Sequence, residues 1–354
     1  MLFSLYSEFY FIWVYIFAFI FSFWAYIKTN LYKLPARLDI ERVFIVKKVI
    51  TNRYFISSFY ISLTINSILL LYYLFFLGIE GYIYKGGFIL CSFSFSTIIC
   101  YLFLSSFYLF FFKSFLFNPS YNYRDFYFIF FQISLLVPFL FLSTNFFQLF
   151  LFIELLSIFM SYKFVISLKY YSFSKKIVGE VFNIDSSFKA LFFHYWSGFF
   201  SSILIFFWLI IIYKIFGTTE LGVVKLILLV QPYTIDQTVL SFVFFIFFLT
   251  FLFKLGFVPF QFYKIEIYSK IPFILISFYT LYYFIIFFFL FIYLLIFFFT
   301  LWSWSFLFFF VVLLFLAGSY LWFYVYNVER LKDFLAYSGV INSILLFLFI
   351  LILF

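Results

Sequence analysis

Glu154, Lys163, Lys189 and Lys254 are ionisable side chains set in stretches that are otherwise almost wholly apolar. A charge in hydrocarbon costs about 2.5–3.5 kcal/mol on insertion scales. Such groups persist where they face a bundle interior, pair with one another or meet water. One carboxylate and several amines in a single bundle therefore point to a proton or ion path. Glu154 is flanked by Phe150, Leu151, Phe152, Ile153, Leu155 and Leu156, and its side chain is too short to reach water from the centre of that run. An opposite charge about 4 Å away would return about 4 kcal/mol at an effective dielectric of about 20. That offsets much of the insertion cost and leaves each partner's protonation sensitive to its neighbours, which suits a relay. A static interhelical ion pair is the structural alternative. Lys189 stands at the start of its run, so its amine could join a relay or snorkel to the interface. Lys163 lies on another face of the helix of Glu154, near its expected end, where snorkelling is the plainer reading. His194 follows Lys189 by one and a half helical turns; its imidazole could relay protons or pack as a neutral ring.

A second feature stands beside Lys254. Residues 250–263 read Thr-Phe-Leu-Phe-Lys-Leu-Gly-Phe-Val-Pro-Phe-Gln-Phe-Tyr. Proline removes a backbone donor and clashes with the carbonyl one turn back, so Gly256 and Pro259 together predict a helix interrupted at membrane depth. The freed backbone groups survive only inside protein or against a water-filled cavity. Broken helices beside a buried charge recur at ion sites in transporters. A proline near an ordinary helix end is the bland alternative.

The elements that must position these groups follow from composition. The chain has 354 residues, is 68% hydrophobic and 10% charged, and contains 74 Phe. Soluble domains average about 45–50% apolar and about 25% charged, so lipid is the solvent for most of this surface. The alanines are Ala18, Ala25, Ala36, Ala190, Ala317 and Ala336; Phe, Ile, Leu, Tyr, Lys and Asn, with their A/T-rich codons, take alanine's place, as in an organellar genome. The default role of any one aromatic here is lipid or packing contact. With two cysteines, Cys91 and Cys100, and one histidine, the chain alone lacks the ligands for an iron–sulfur cluster, a bis-histidine haem or a zinc site. No phosphate-binding glycine loop is present; Gly86-Gly87 is an isolated pair at an expected helix start. The net charge of +9 lies in short loops and forms no nucleic-acid face.

A span needs about 20 residues. Candidates run over 5–27, 55–77, 88–112, 126–143, 146–168, 189–216, 238–260, 271–297, 300–326 and 334–354. The fold class is thus all-α, a polytopic transmembrane bundle of about ten spans. The first run lacks a basic n-region and a cleavage site and reads as a true helix, not a presequence. With the N-terminus outside, inner loops 28–54, 113–125, 169–188, 261–270 and 327–333 hold sixteen Lys and Arg, the outer side holds Lys85, Lys214 and Lys225, and Lys163, Lys189 and Lys254 lie in spans, which accounts for all 22. That asymmetry obeys the positive-inside rule. Segment 31–52 reads as an interfacial amphipathic helix or a plain basic loop, and 218–237 as a polar outer loop. The chain divides into 1–125, three helices with inner loop 28–54, and a core over 126–354.

Several stretches resemble one family. Asn145–Ser161, Asn-Phe-Phe-Gln-Leu-Phe-Leu-Phe-Ile-Glu-Leu-Leu-Ser-Ile-Phe-Met-Ser, is similar to the helix bearing the buried glutamate in the antiporter-like subunits of respiratory complex I. Lys254-Leu-Gly-Phe-Val-Pro-Phe-Gln-Phe resembles that family's broken-helix motif, in the form found in the subunit 2 branch of NADH:ubiquinone oxidoreductase. Arg330-Leu-Lys-Asp-Phe-Leu-Ala-Tyr-Ser-Gly resembles the motif that opens a later helix, and Phe188-Lys189-Ala190, with Phe216-Gly217-Thr218-Thr219 closing its span, falls in order. The matches are collinear over about 126–345. The resemblance implies an antiporter-like fold and a mitochondrial, proton-translocating membrane-arm subunit. Glu154 would take the glutamate role, Lys254 the broken-helix lysine role paired with it, and Lys189 that of a relay lysine. It implies no redox chemistry and no cofactor on this chain.

Two departures from the pattern bear on function. The family places a further lysine midway along the next helix, whereas 271–297 holds no Lys, Arg, Asp, Glu or His; Tyr279, Tyr282 and Tyr283 are the nearest polar residues. The chain also ends at Phe354, where family members continue for about four more helices, so a C-terminally incomplete fold is expected, with a separate chain supplying the rest. Expected partners are that chain, other membrane-arm subunits and lipid, without nucleic acid. The expected place is the mitochondrial inner membrane, with the N-terminus on the intermembrane-space side. The alternatives are a structural subunit with a vestigial channel and, against the dearth of interior Asp, an independent cation/proton antiporter.

Overall fold

The computed structural model describes residues 15–18, 20, 63–74, 81–83, 87–111, 123–178, 184–230, 237–257, 260–271, 276, 278–280, 284–298, 304–326, 328 and 331–353. Segment 31–52, Pro259, Tyr282 and Tyr283 lie outside them. The described helices are α1 (Leu63–Leu74), α2 (Ser92–Phe111), α3 (Tyr123–Leu142), α4 (Phe146–Val178), α5 (Ile184–Phe216), α6 (Leu221–Val230), α7 (Gln237–Leu255), α8 (Gln261–Lys270), α9 (Phe284–Phe298), α10 (Trp304–Tyr326) and α11 (Leu331–Leu353). Ser92–Phe110, Phe146–Val165 and Phe188–Phe216 are, among the described residues, long and apolar enough to cross a bilayer. The all-α membrane fold expected from composition is the fold observed.

Its chemistry shows in two habits. Large apolar side chains face outward, among them Phe103, Phe107 and Phe110 on α2 and Phe199, Phe206 and Phe207 on α5, which water would not tolerate in such number. Hydroxyls turn back onto their own helices, as Ser105 Oγ to the Leu102 carbonyl at 2.7 Å, Ser134 Oγ to Phe131 at 2.8 Å and Thr250 Oγ1 to Phe247 at 2.6 Å. Hydrocarbon offers no other acceptor.

The chain forms two compact units, Met1–Thr144 with Leu151–Val181, and Asn145–Phe150 with Phe182–Phe354. In the first, α2 packs on α3. Asn66 of α1 donates to Ser105 Oγ of α2 at 2.9 Å, and the buried hydroxyls of Tyr15 and Tyr73 share a hydrogen bond. In the second, α5 packs on α7 and α8, α8 on α11, α10 on α11 and α7 on α9. Trp208 of α5 lies between Phe146 and Phe247, each ring centroid 5.0 Å away.

Several boundaries differ from expectation. The start of the third span is not helical: Phe88–Leu90 pairs antiparallel with Gly81–Ile83. Gly87 therefore leads into a strand and not a helix start, while Gly86 lies outside the described residues. Helix α4 runs ten residues past 168 and α5 begins five before 189, because helices do not stop where apolarity does. The supposed polar outer loop contains α6, whose Leu221, Val224 and Leu228 are buried at helical spacing. The supposed inner loop 261–270 is itself α8.

Candidate functional site

The break in the second unit is built by backbone chemistry. Helix α7 ends at Leu255, five residues before the expected 260, because Gly256 turns to φ +66°. Gly256 N–H donates to the Phe253 carbonyl at 3.2 Å and Phe257 N–H to Leu252 at 2.9 Å. That pair of bonds, with glycine left-handed between them, is the Schellman ending of a helix. Phe260 N–H then donates to the Phe257 carbonyl at 2.7 Å, and α8 begins at Gln261.

Helix α8 folds back to finish the end of α7. Tyr263 hydroxyl donates to the Phe253 carbonyl and lies 3.3 Å from that of Lys254. Lys264 Nζ donates to the Leu255 carbonyl at 3.1 Å. The last carbonyls of α7, which an interrupted helix leaves open, are thereby satisfied by two side chains one residue apart. A cation at the negative end of a helix is also the favourable sign. The fit is close: a Cβ on Gly256 would stand 2.8 Å from Lys264 Cδ, 3.0 Å from its Cβ and 3.1 Å from Tyr263 Oη.

Lys254 is 6% exposed, in the last turn of α7, with Nζ 5.5 Å over the Phe287 ring of α9. His194 of α5 is 4% exposed, lies within electrostatic reach of Lys254, and meets the Tyr279 ring edge-on at 5.7 Å. The structure thus gathers Lys254, His194 and Gly256 in one unit. Lys189 is different. It is exposed near the start of α5, with Nζ 6.0 Å over Phe193, and Lys270 at the end of α8 stands at the same distance from that ring.

Glu154 and Lys163 belong to the first unit. Glu154 is half-buried on α4, where Ser157 hydroxyl donates to its carbonyl at 2.7 Å and lies 3.5 Å from Oε2. Lys163 does not snorkel: it is 2% exposed, its Nζ 5.9 Å over the Phe130 ring of α3. The reason is the length of α4, which places Lys163 mid-helix instead of at an end.

The residues that sequence reasoning missed are on α8. Gln261, Lys264, Ile267 and Tyr268 form its buried face. Lys264, 2% exposed, points into rings of Phe284 (4.4 Å to the centroid), Phe257 (5.9 Å) and Tyr268 (5.9 Å). Tyr268 in turn meets Tyr279 edge-on at 5.5 Å, and its Cε2 is 3.5 Å from where a Cβ on Gly339 would stand. The i, i+3, i+7 spacing of Gln261, Lys264 and Tyr268 was the available signal.

No family model matches the sequence. One stretch of 69 residues is 41% identical to an uncharacterized mitochondrial protein of Paramecium tetraurelia, covering 19% of this chain and 44% of that protein. Among solved structures, the chain is similar to one from respiratory complex I of Thermus thermophilus (TM-score 0.61, 12% identity, 86% of this chain). It is also similar to one from the membrane-bound sulfane sulfur reductase, an archaeal respiratory membrane complex (TM-score 0.66, 14% identity, 87% of this chain). This chain covers 62% and 63% of those chains. The helical membrane fold of this chain is therefore shared with chains of respiratory membrane complexes.

Proposed function

We propose that this chain is a proton-translocating, antiporter-like membrane-arm subunit of a mitochondrial respiratory complex I, from the subunit 2 branch. The observation that carries the reading is the interrupted helix α7–α8 with buried Lys254 at its break and buried His194 within electrostatic reach. A helix broken inside a bundle and lined by ionisable groups is a device for moving charge through hydrocarbon. Lys254 carries the proton at the break, Glu154 serves as the carboxylate of the relay, Lys189 feeds it from the start of α5, and His194 sits beside Lys254 as a further carrier. Electron transfer and its cofactors belong to other subunits, and energy reaches this chain through conformational and electrostatic coupling. The chain lies in the mitochondrial inner membrane, with its N-terminus toward the intermembrane space. Other membrane-arm subunits flank it.

A second reading is a structural subunit whose channel is vestigial. It is favoured by one observation, the absence of any ionisable side chain other than tyrosine from 271–297. Glu154→Gln and Lys254→Gln, each in the assembled complex in sealed vesicles, separate the two. Lower proton transfer per NADH oxidised supports the relay; parental stoichiometry in both variants sinks it and leaves the scaffold.

A further inference from the structure

The buried face of α8 sets three polar residues beside Ile267, where a bundle face should be apolar. Gln261, Lys264 and Tyr268 recur at one-turn and two-turn spacing and are 3%, 2% and 1% exposed. Buried polar groups in proteins are nearly always hydrogen-bonded, to protein or to ordered water. Yet Gln261 Oε1 and the Tyr268 hydroxyl have no hydrogen-bond partner among the described residues. The Lys264 ammonium has three N–H donors, and its hydrogen bond among the described residues is to Leu255. Two unpartnered oxygens and an under-used ammonium on one stripe of one short helix form the lining that a bound water requires, two to four polar partners in reach.

We propose that Lys264 is a proton carrier at the helix break, exchanging its proton through water held by Gln261 and Tyr268. The proposal rests on the proton-translocating reading given above and adds a residue to it. In the exchange, an N–H bond of the ammonium breaks and an O–H bond to the water forms. The electron pair stays on Nζ as an amine, the positive charge moves onto water, and no electrons are transferred. The Tyr268 hydroxyl, able to donate and accept at once, passes the proton toward Tyr279, whose ring is 5.5 Å away, and His194, whose ring is 5.7 Å beyond. Around this stripe Tyr279 meets Tyr268, His194 of α5 meets Tyr279 and feels the charge of Lys254 of α7, and toward the far end of α8 Lys189 of α5 and Asp333 of α11 act on Lys270. The Leu255 carbonyl holds the amine end in place in both protonation states, as acceptor for whichever N–H remains.

Lys264→Gln tests this in the assembled complex in sealed vesicles. Glutamine still offers an N–H to the Leu255 carbonyl but cannot carry an added proton. Protons transferred per NADH oxidised are expected to fall below the parent's. Parental stoichiometry in Lys264→Gln, with Glu154→Gln and Lys254→Gln lowered, overturns the assignment to Lys264 alone. Parental stoichiometry in all three overturns the transport reading itself. Should Lys264→Gln fail to assemble, a map of the unsubstituted complex that resolves water decides. Water bonded to Lys264 Nζ, Gln261 Oε1 and Tyr268 Oη supports the proposal, and a dry stripe overturns it.

Discussion

Gly256→Ala isolates the geometry on which the break depends. At φ +66° a residue with a Cβ pays about 1–2 kcal/mol. The new methyl would also stand 2.8 Å from Lys264 Cδ and 3.0 Å from Lys264 Cβ. Overpacking of that kind costs about 1–3 kcal/mol more. Lys264 could yield only by leaving the Leu255 carbonyl, and a hydrogen bond to a charged group is worth about 1.5–3 kcal/mol, so relief is no cheaper than the clash. The expected loss is therefore about 2–5 kcal/mol. The chain supplies its own control. Gly217, after α5, has φ +68° with nothing within 4 Å of a built Cβ, so Gly217→Ala should cost about 1–2 kcal/mol from backbone strain alone. Equilibrium unfolding of the purified chain in mixed micelles measures both. Equal losses in the two variants would refute the close approach of α8 to the break, and a loss below 1 kcal/mol at Gly256 would refute the strain as well.

Two further substitutions probe the hydrogen bonds that hold each unit. Tyr263→Phe keeps the ring on Phe253 but removes the hydroxyl; because Gly256 N–H still donates to the Phe253 carbonyl, the loss by the same unfolding assay should be only about 0.5–1.5 kcal/mol. In the first unit, Tyr15→Phe and Tyr73→Phe each strand a buried hydroxyl of the shared bond, at about 1–3 kcal/mol apiece. The double variant should cost less than the sum, and strict additivity in that cycle would show that the two hydroxyls do not interact.

The fold was legible in the sequence because hydropathy decides which segments lipid will accept. The break at Gly256 was legible because a glycine and a proline three residues apart allow few continuous helices. What was illegible had a common physical origin. Hydropathy reading sends polar residues to water, so Lys169, Lys175 and Lys176 were placed in a loop although α4 continues through them. The same rule made a loop of 261–270, when the buried face of α8 carries Gln261, Lys264 and Tyr268. Its amphipathicity is inverted, with Phe262 63% exposed on the outer side, and only the spacing, not the polarity, marks it as a packed helix. The hairpin at Phe88–Leu90 failed for a different reason: a three-residue apolar strand has no period long enough to tell from the start of a helix.

The inversion on α8 bears on the choice between relay and scaffold. Besides tyrosines, the buried ionisable side chains of the second unit, among the described residues, are Lys254, Lys264 and His194, all cationic when charged. Two ammoniums in hydrocarbon would cost about 5–7 kcal/mol together at about 2.5–3.5 each, against a total stability of about 5–15 kcal/mol for a typical domain. Their rings return about 0.5–2 kcal/mol each through cation–π contact, and the Leu255 carbonyl about 1.5–3 kcal/mol for Lys264. In a scaffold, leucine or methionine would fill the same volume without the charge, and only the bond from Lys264 to the Leu255 carbonyl would be lost. An amine that exchanges its proton avoids the cost for part of the time, which is what the proposed relay asks of Lys254 and Lys264 and a scaffold does not.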